Sequence, residues 1–487
     1  MALDFKKKIL SGMIWSFVQR FGTMAISFVS NIILARLLSP DDYGIIGMLM
    51  IFIAVANTFV DGGFGSALIQ KKRPTKEDYS TIFWWNMFLS MLLYGLLYIC
   101  APAIARFYNL PILSDVLRVQ GIVLMINALS IIQQNQLRKQ LKFKRLASVT
   151  VVSATLSAVI AIVLAYLGWG VWALVAQQLM LSGFITIILW VINGWYPSLI
   201  FSRESFKQLF GFGGYILATS IINTFANNIQ GLLLGRFFNP AVLGYYTQAR
   251  KLEDVASTSL STIVDQVSYP VLSEIQDEPQ RLVVILKKLV AVIAYVSIAI
   301  MIILITLAHP LILFLYSEKW LPCIPYLQIL CVAGIAISLQ RVHYSAVASV
   351  GKSKSLFVWT MIKRLLGVAV LIVGMHFGGI YGLLWGCVAS SWITMIINAY
   401  LTGKYVGYKL FQQFVDLYPI FIIGIMAYMI PFYLLKLAEI SAILNSIIHC
   451  FAFILIYVTF SHIFEVNVYI QIRQLCIEYC QKVFNNK

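Results

Sequence analysis

The residues whose type and spacing imply chemistry here are cations and small polar side chains set inside apolar stretches. In the first such stretch Gly12, Ser16, Gln19, Arg20, Thr23, Ser27, Ser30 and Asn31 fall within about 120° of one another when wound into a helix. Ser220, Asn223, Thr224, Asn227 and Gln230 form a second stripe of the same kind, 200 residues later. Further on, Gln248, Lys251, Asp254, Thr258, Thr262 and Asp265 share one face, with Arg250 one turn before Asp254. Arg341 with His343, and Lys363 with Arg364, add weaker cationic candidates. Such groups bind and hold ions. Cys476 and Cys480, one helical turn apart, fit chance spacing better than a metal pair, and the seven cysteines contain no CxxC. Neither a metal nor a cofactor is expected.

Each of these groups has a plainer reading. An arginine at mid-bilayer costs about 2.5–3.5 kcal/mol on insertion scales, so Arg20 either faces a cavity or a partner, or snorkels to the nearby interface. Arg250, Lys251 and Asp254 either neutralise one another or present cations held in place by the carboxylate. The Ser, Thr and Asn stripes serve equally as hydrogen-bond glue between helices, but two matched stripes suit a shared cavity better. Asp61, before Gly62-Gly63-Phe64-Gly65, reads mainly as a helix break, with cation coupling as its second role; Asp254 and Asp265 are the other coupling candidates.

The elements that must position these residues are membrane helices. Only 11% of the residues are charged and mean hydropathy is +0.86, against about a quarter charged in soluble domains. Fourteen apolar segments lie near 13–37, 44–69, 81–107, 113–136, 147–167, 171–194, 211–238, 243–269, 285–315, 324–349, 355–377, 380–402, 415–435 and 442–463. All are expected to be α-helical, because a helix satisfies its own backbone in hydrocarbon. Lys6–Lys8 precede the first of them without a cleavable signal, since that segment is too long for one.

Charge placement tests the count. With the N-terminus inside, about 24 lysines and arginines fall on cytoplasmic connections, including Lys71, Lys72, Arg73, Lys142, Lys144, Lys352 and Lys354. Only Arg36, Arg106, Arg118, Arg236, Lys319 and Lys436 fall outside. This bias explains most of the +17 net charge without nucleic acid and sets both termini in the cytoplasm. The outer connections are too short for a catalytic domain, so no enzyme is expected.

An internal repeat divides the chain. Leu34-Ala35-Arg36-Leu37-Leu38-Ser39-Pro40 with Gly44 answers Leu234-Gly235-Arg236-Phe237-Phe238-Asn239-Pro240 with Gly244. Ala101-Pro102 answers His309-Pro310, and Gly170-Val171-Trp172-Ala173-Leu174 answers Gly379-Ile380-Tyr381-Gly382-Leu383. Six helices per copy keep the copies in one orientation, which predicts two lobes, 1–196 and 197–405, related by a pseudo-two-fold along the membrane normal. Residues 406–487 add helices thirteen and fourteen and a cytoplasmic tail. Arg36 and Arg236 suit helix C-termini, where a cation complements the dipole.

Ser11-Gly12-Met13-Ile14-Trp15-Ser16, the Leu34–Pro40 run, Asp61–Ile69, Phe107-Tyr108, Leu141-Lys142-Phe143-Lys144 and Gly170–Val175 together resemble the polysaccharide-transporter branch of the multidrug/oligosaccharidyl-lipid/polysaccharide exporter superfamily. The resemblance is dense over residues 9–190 and thinner beyond. It implies an inner-membrane flippase for undecaprenyl-pyrophosphate-linked oligosaccharides of O-antigen, capsule or exopolysaccharide, working by alternating access around a two-lobed cavity. By the same resemblance, arginines on helices one and eight line that cavity, where Arg20 and Arg250 or Lys251 stand here. Arg341 joins them as a candidate, as do Gln19, Thr23, Ser27, Asn223 and Asn227. Helices thirteen and fourteen would shelter the lipid tail. The implied partners are the lipid-linked oligosaccharide, the bilayer, and a polysaccharide polymerase with its chain-length machinery.

The residues agree on the sign of the ligand. A pyrophosphate needs cations in a low-dielectric cavity, and a potential negative inside favours outward movement of an anion by about 2.3 kcal/mol per charge per 100 mV. A drug/cation antiporter of the same superfamily, the nearest alternative, expects carboxylates to dominate the seam. A membrane glycosyltransferase or polymerase expects an acidic motif on a large outer loop.

Overall fold

A computed structural model of the chain describes residues 2–436, 441–471 and 473–474, without the side chains of 2–10, 212, 263, 265, 267 and 436. Every regular element among them is helical. In chain order these are α1 (Ala2–Leu37), α2 (Pro40–Asp61), α3 (Phe64–Gln70), α4 (Lys76–Tyr108), α5 (Ile112–Gln120), α6 (Val123–Lys139), α7 (Phe143–Tyr166) and α8 (Val171–Asn193). There follow α9 (Arg203–Phe237), α10 (Pro240–Glu274), α11 (Pro279–Thr306), α12 (Ala308–Leu315), α13 (Ile324–Ser349), α14 (Ser353–Val406), α15 (Leu410–Lys436) and α16 (Ala442–Ile463). A 3₁₀ turn, Glu318–Cys323, leads into α13. Eleven of the described helical stretches are long and apolar enough to cross a membrane, twelve if the bent α9 counts as one span. The protein is a multi-span membrane protein.

Local chemistry explains where the helices stop and start. Ser39 and Asp42 form a reciprocal capping box at α2: the Ser39 amide donates to Asp42 Oδ2 at 2.9 Å, and the Asp42 amide donates to Ser39 Oγ at 3.2 Å. Pro40 occupies the first turn, where its missing N–H costs nothing. The sister motif repeats this: Asn239 Oδ1 accepts from the Val242 amide at 3.0 Å, ahead of Pro240. Gly62 (φ 58°) and Gly63 (φ 69°) adopt left-handed backbone and end α2 where the sequence places a break. Thr75 and Asp78 cap α4 in the same reciprocal way, and Lys71 Nζ holds the buried Asp78 at 2.8 Å. The Lys139 ammonium donates to the last carbonyls of α3, Leu68 and Ile69, at 2.9 Å each.

Helix α14 is a hairpin. Gly378 (φ −131°) and Gly379 (φ 55°) leave helical geometry at its middle, between the two segments read from the sequence as 355–377 and 380–402. Its arms pack through glycines, since a Cβ on Gly374 would strike the Gly382 carbonyl and one on Gly382 the Gly374 carbonyl.

Two compact units emerge, Met1–Gly244 and Tyr245–Lys487. In the first, α9 packs along α2, with Thr58 Oγ1 3.0 Å from Thr224 Oγ1. The two copies of the Pro-Gly motif meet reciprocally there. A Cβ on Gly44 would collide with the backbone of Pro240, and one on Gly244 with the backbone of Pro40. The glycines that recur 200 residues apart are thus a matched pair of close approaches, each needed by the other copy. In the second unit, α13 packs on the α14 hairpin and α11 on α15 and α16. Tyr457 donates to the Tyr295 carbonyl at 3.0 Å, and Tyr295 to Ser461 Oγ at 3.1 Å. Asp416 joins Lys287 Nζ at 3.1 Å and accepts from the Tyr408 hydroxyl at 2.7 Å. Burial and this carboxylate together push the Tyr408 phenol above its ordinary range.

Candidate functional site

In the first unit, the α1 stripe divides into packed ends and an accessible middle. Gly12 lies against the ring of Phe143 on α7, where a Cβ would come within 2.9 Å. Ser30 is buried, donates to the Ser27 carbonyl at 3.1 Å and accepts from Gln177 Nε2 of α8 at 3.4 Å. Those two positions are packing. Between them Arg20 and Ser27 are exposed, and Gln19 and Thr23 half-buried. The Thr23 hydroxyl donates to the Gln19 carbonyl at 2.7 Å, which satisfies its proton within the helix and leaves its lone pairs for another donor. On α9, Thr224 is engaged with Thr58, while Asn223 is half-buried and Asn227 exposed. Accessible polar groups of the matched stripes thus include Ser16, Gln19, Arg20, Thr23, Ser27, Asn223 and Asn227.

Asp61 is exposed at the end of α2, close enough to Arg138 to feel its charge. Arg36 and Arg236 sit in the last turns of α1 and α9, and Arg236 lies over the Phe107 ring at 4.9 Å.

In the second unit, α10 gathers the charges. Arg250 is about one-third exposed, directs Nε to Asp254 Oδ1 at 3.1 Å and leaves Nη1 3.5 Å from Glu253 Oε2. Asp254 and Lys251 are both accessible. The side chain of Asp265 lies outside the described residues, as do Cys476 and Cys480. On α13, Arg341 is exposed, whereas His343 is buried with Nδ1 3.3 Å from Thr402 Oγ1. Lys363 is buried too and donates to Asn398 Oδ1, whose amide in turn donates to the Gln340 carbonyl at 3.2 Å. That lysine ties the two arms of α14 together, and Asn398 ties them to α13. Arg364 stays half-buried near Arg341.

Sequence reasoning missed Glu253, which is fully buried beside the exposed ions. It lies off the stripe drawn through Lys251 and Asp254. The signal that marks it is the run Arg250-Lys251-Leu252-Glu253-Asp254, four charges in five residues of an apolar chain. Also missed was the carboxamide layer of the first unit, where Asn127 donates to Asn57 at 3.0 Å and Gln120 to Gln178 at 2.6 Å. Among the described residues no group of three or more His, Cys, Asp or Glu is placed to hold a metal.

Accessible cations on these helices can bind an anion. The chain belongs to the polysaccharide biosynthesis protein family, whose model matches residues 33–325. It is 27% identical over 428 residues to the teichuronic acid biosynthesis protein TuaB of Bacillus subtilis (strain 168), covering 87% of this chain and 89% of that one. It is 23% identical over 435 residues to the lipopolysaccharide biosynthesis protein WzxC of Escherichia coli (strain K12), covering 89% and 86%. Its fold is similar to that of the lipid II flippase MurJ in an inward closed conformation, with a TM-score of 0.72 at 16% identity, over 94% of this chain and 99% of that one.

Proposed function

We propose that this chain is a flippase, a transporter rather than an enzyme, which moves a polyprenyl-pyrophosphate-linked oligosaccharide from the cytoplasmic to the periplasmic leaflet of a bacterial inner membrane. Its cargo is a repeat unit of a surface polysaccharide. The observation that carries the reading is the set of accessible cations, Arg20, Arg250, Lys251 and Arg341, on helices of a polysaccharide biosynthesis protein. Two relatives named for cell-surface polymers and a fold shared with a lipid II flippase support it. A lipid-linked sugar has two parts the bilayer rejects, a charged pyrophosphate and a hydroxyl-rich glycan. Arginine and lysine answer the first, and Gln19, Thr23, Ser27, Asn223 and Asn227 the second. Asp61, Asp254 and Asp265 are outnumbered by cations, which disfavours a cationic cargo; they are the candidates for ion coupling.

The topology that serves this function has fourteen spans in two six-helix repeats, 1–196 and 197–405, with 406–487 appended and both termini cytoplasmic. The eleven apolar stretches reach that number once the α14 hairpin counts twice and the bent α9 and polar α10 each count once. At 1.5 Å per residue the 35 residues of α10 extend about 50 Å, ample for a bilayer. Charges keep its hydropathy low, and a helix that carries cargo ligands requires them. A polymerase with its chain-length machinery would receive the product outside.

Deletion of the gene in its own host tests the reading. Surface glycan should disappear and return with the wild-type gene but not with Arg20→Glu at equal protein level. Unchanged surface glycan in the deletion strain would refute it.

A further inference from the structure

Glu253 has no part in the reading above, and its surroundings give it one. The side chain is 0% exposed on α10. Arg250, one turn earlier, stands 3.5 Å away but aims its Nε at Asp254, and neither Glu253 oxygen accepts a well-formed hydrogen bond. Ser257, one turn on, and Asp254 are close polar neighbours. The other titratable groups facing it are Tyr246 of its own helix, Cys331 of α13 and Cys387 of the α14 hairpin. Gly334 of α13 presses on Oε1, where a Cβ would come within 2.7 Å. Lys251, two residues before Glu253, leaves the helix on another side.

One guanidinium therefore serves two adjacent carboxylates, one fully buried and the other half-exposed. A buried carboxylate without well-formed hydrogen bonds carries its charge at high cost, and a second carboxylate this close adds to that cost. One cation beside two adjacent carboxylates makes this cluster a geometric candidate for binding a proton.

We propose that Glu253 and Asp254 form a proton-binding site linked to anion binding at Arg250. The inference rests on the reading of Arg250 as an anion contact. An arriving pyrophosphate draws the guanidinium towards itself. The two carboxylates then lose their counter-cation and take up a proton from solvent, the half-exposed Asp254 serving as the entry. Proton and anion thus favour each other's binding, and by linkage each tightens the other equally. Raising the pH strips the proton, returns Arg250 to the carboxylates and weakens the anion. The site makes the cation's availability to cargo depend on protonation.

Purified full-length protein in nanodiscs, titrated with farnesyl pyrophosphate between about pH 6 and 8, tests this. The wild type should bind about tenfold more tightly per unit fall in pH than Glu253→Gln does over the same interval, one proton being at stake. The ligand's own titration is common to both proteins and cancels. The inhibition constant of inorganic sulfate, which exchanges no proton in this range, should fall as the pH falls in the wild type and stay flat in Glu253→Gln. Equal pH slopes in wild type and Glu253→Gln, or a sulfate inhibition constant that ignores pH in the wild type, would overturn the proton site and leave Arg250 as an anion contact. Binding that survives Arg250→Gln unchanged would overturn the anion contact and the proton site with it.

Discussion

Arg20 and Arg250 carry the argument at the scale of single residues, and they are held differently. Arg20 is exposed on a helix with no acidic residue between Ser11 and Leu37, whereas Arg250 is braced by Asp254 at 3.1 Å. A phosphate is met by charge as much as by the guanidinium fork, so Arg20→Lys should keep most surface-glycan export. Arg20→Ala and Arg20→Glu should lose it, with protein level unchanged on immunoblots. A purely interfacial anchor would tolerate alanine. At Arg250 the partner matters: exchanging Arg250 and Asp254 restores a neutralising pair but misplaces the cation, so export should stay lost although the protein accumulates. Recovery of export by the exchange would assign the pair to structure alone. The exposed charges were legible in the sequence because an apolar chain makes every ion conspicuous. Glu253 was not, because its distinction is burial, and burial is set by Gly334 and Cys331, some 80 residues away on α13.

The helices owe their ends to short-range chemistry and their packing to glycine. The Ser39 and Asn239 caps, the prolines after them, and Gly44 and Gly244 make up the strongest repeat in the sequence. The structure gives it a cause: each glycine clears the backbone of the other copy's proline. Gly44→Ala should therefore cost about 1–3 kcal/mol by overpacking, read as a lower thermal unfolding midpoint in detergent. Gly244→Ala should do the same. The double variant should fall short of the sum, since separating the helices for one methyl makes room for the other. Full additivity would mean that the two contacts are independent. The repeat's glycines were visible as a spacing, but their reciprocal contact was not, because a spacing does not say which segments touch. The stripes on α1 and α9 were legible for a similar reason and only in part. Periodicity placed Gly12 and Ser30 with the rest, while packing against Phe143 and Gln177 removes them. Cysteines at Thr23 and Asn227 in a cysteine-depleted background should react with a small polar thiol reagent, whereas protection of both would make the stripes helix-to-helix glue.

For the whole molecule, apolar length alone sufficed to read an all-helical membrane protein, because hydrocarbon leaves the backbone no alternative. The interruption at Gly378-Gly379 lies between two segments separated on the same ground. The span count strains hydropathy at α10, whose ions depress the very index used to find it. Reporter fusions at Lys76, Lys142 and Lys354 should all give cytoplasmic signals, and a periplasmic signal at any one would break the fourteen-span topology. The central claim, that an anionic lipid-linked sugar crosses the bilayer on this protein, is tested most directly in proteoliposomes. Polyprenyl-pyrophosphate-linked oligosaccharide is placed in both leaflets, and a membrane-impermeant glycosidase is added outside. Without protein, cleavage should stop at the outer-leaflet pool. With wild-type protein it should run to near completion, and with Arg20→Glu it should stop again at the outer pool. A wild-type protein that leaves the inner pool protected, yet drives a cationic dye across the same vesicles, would contradict the account.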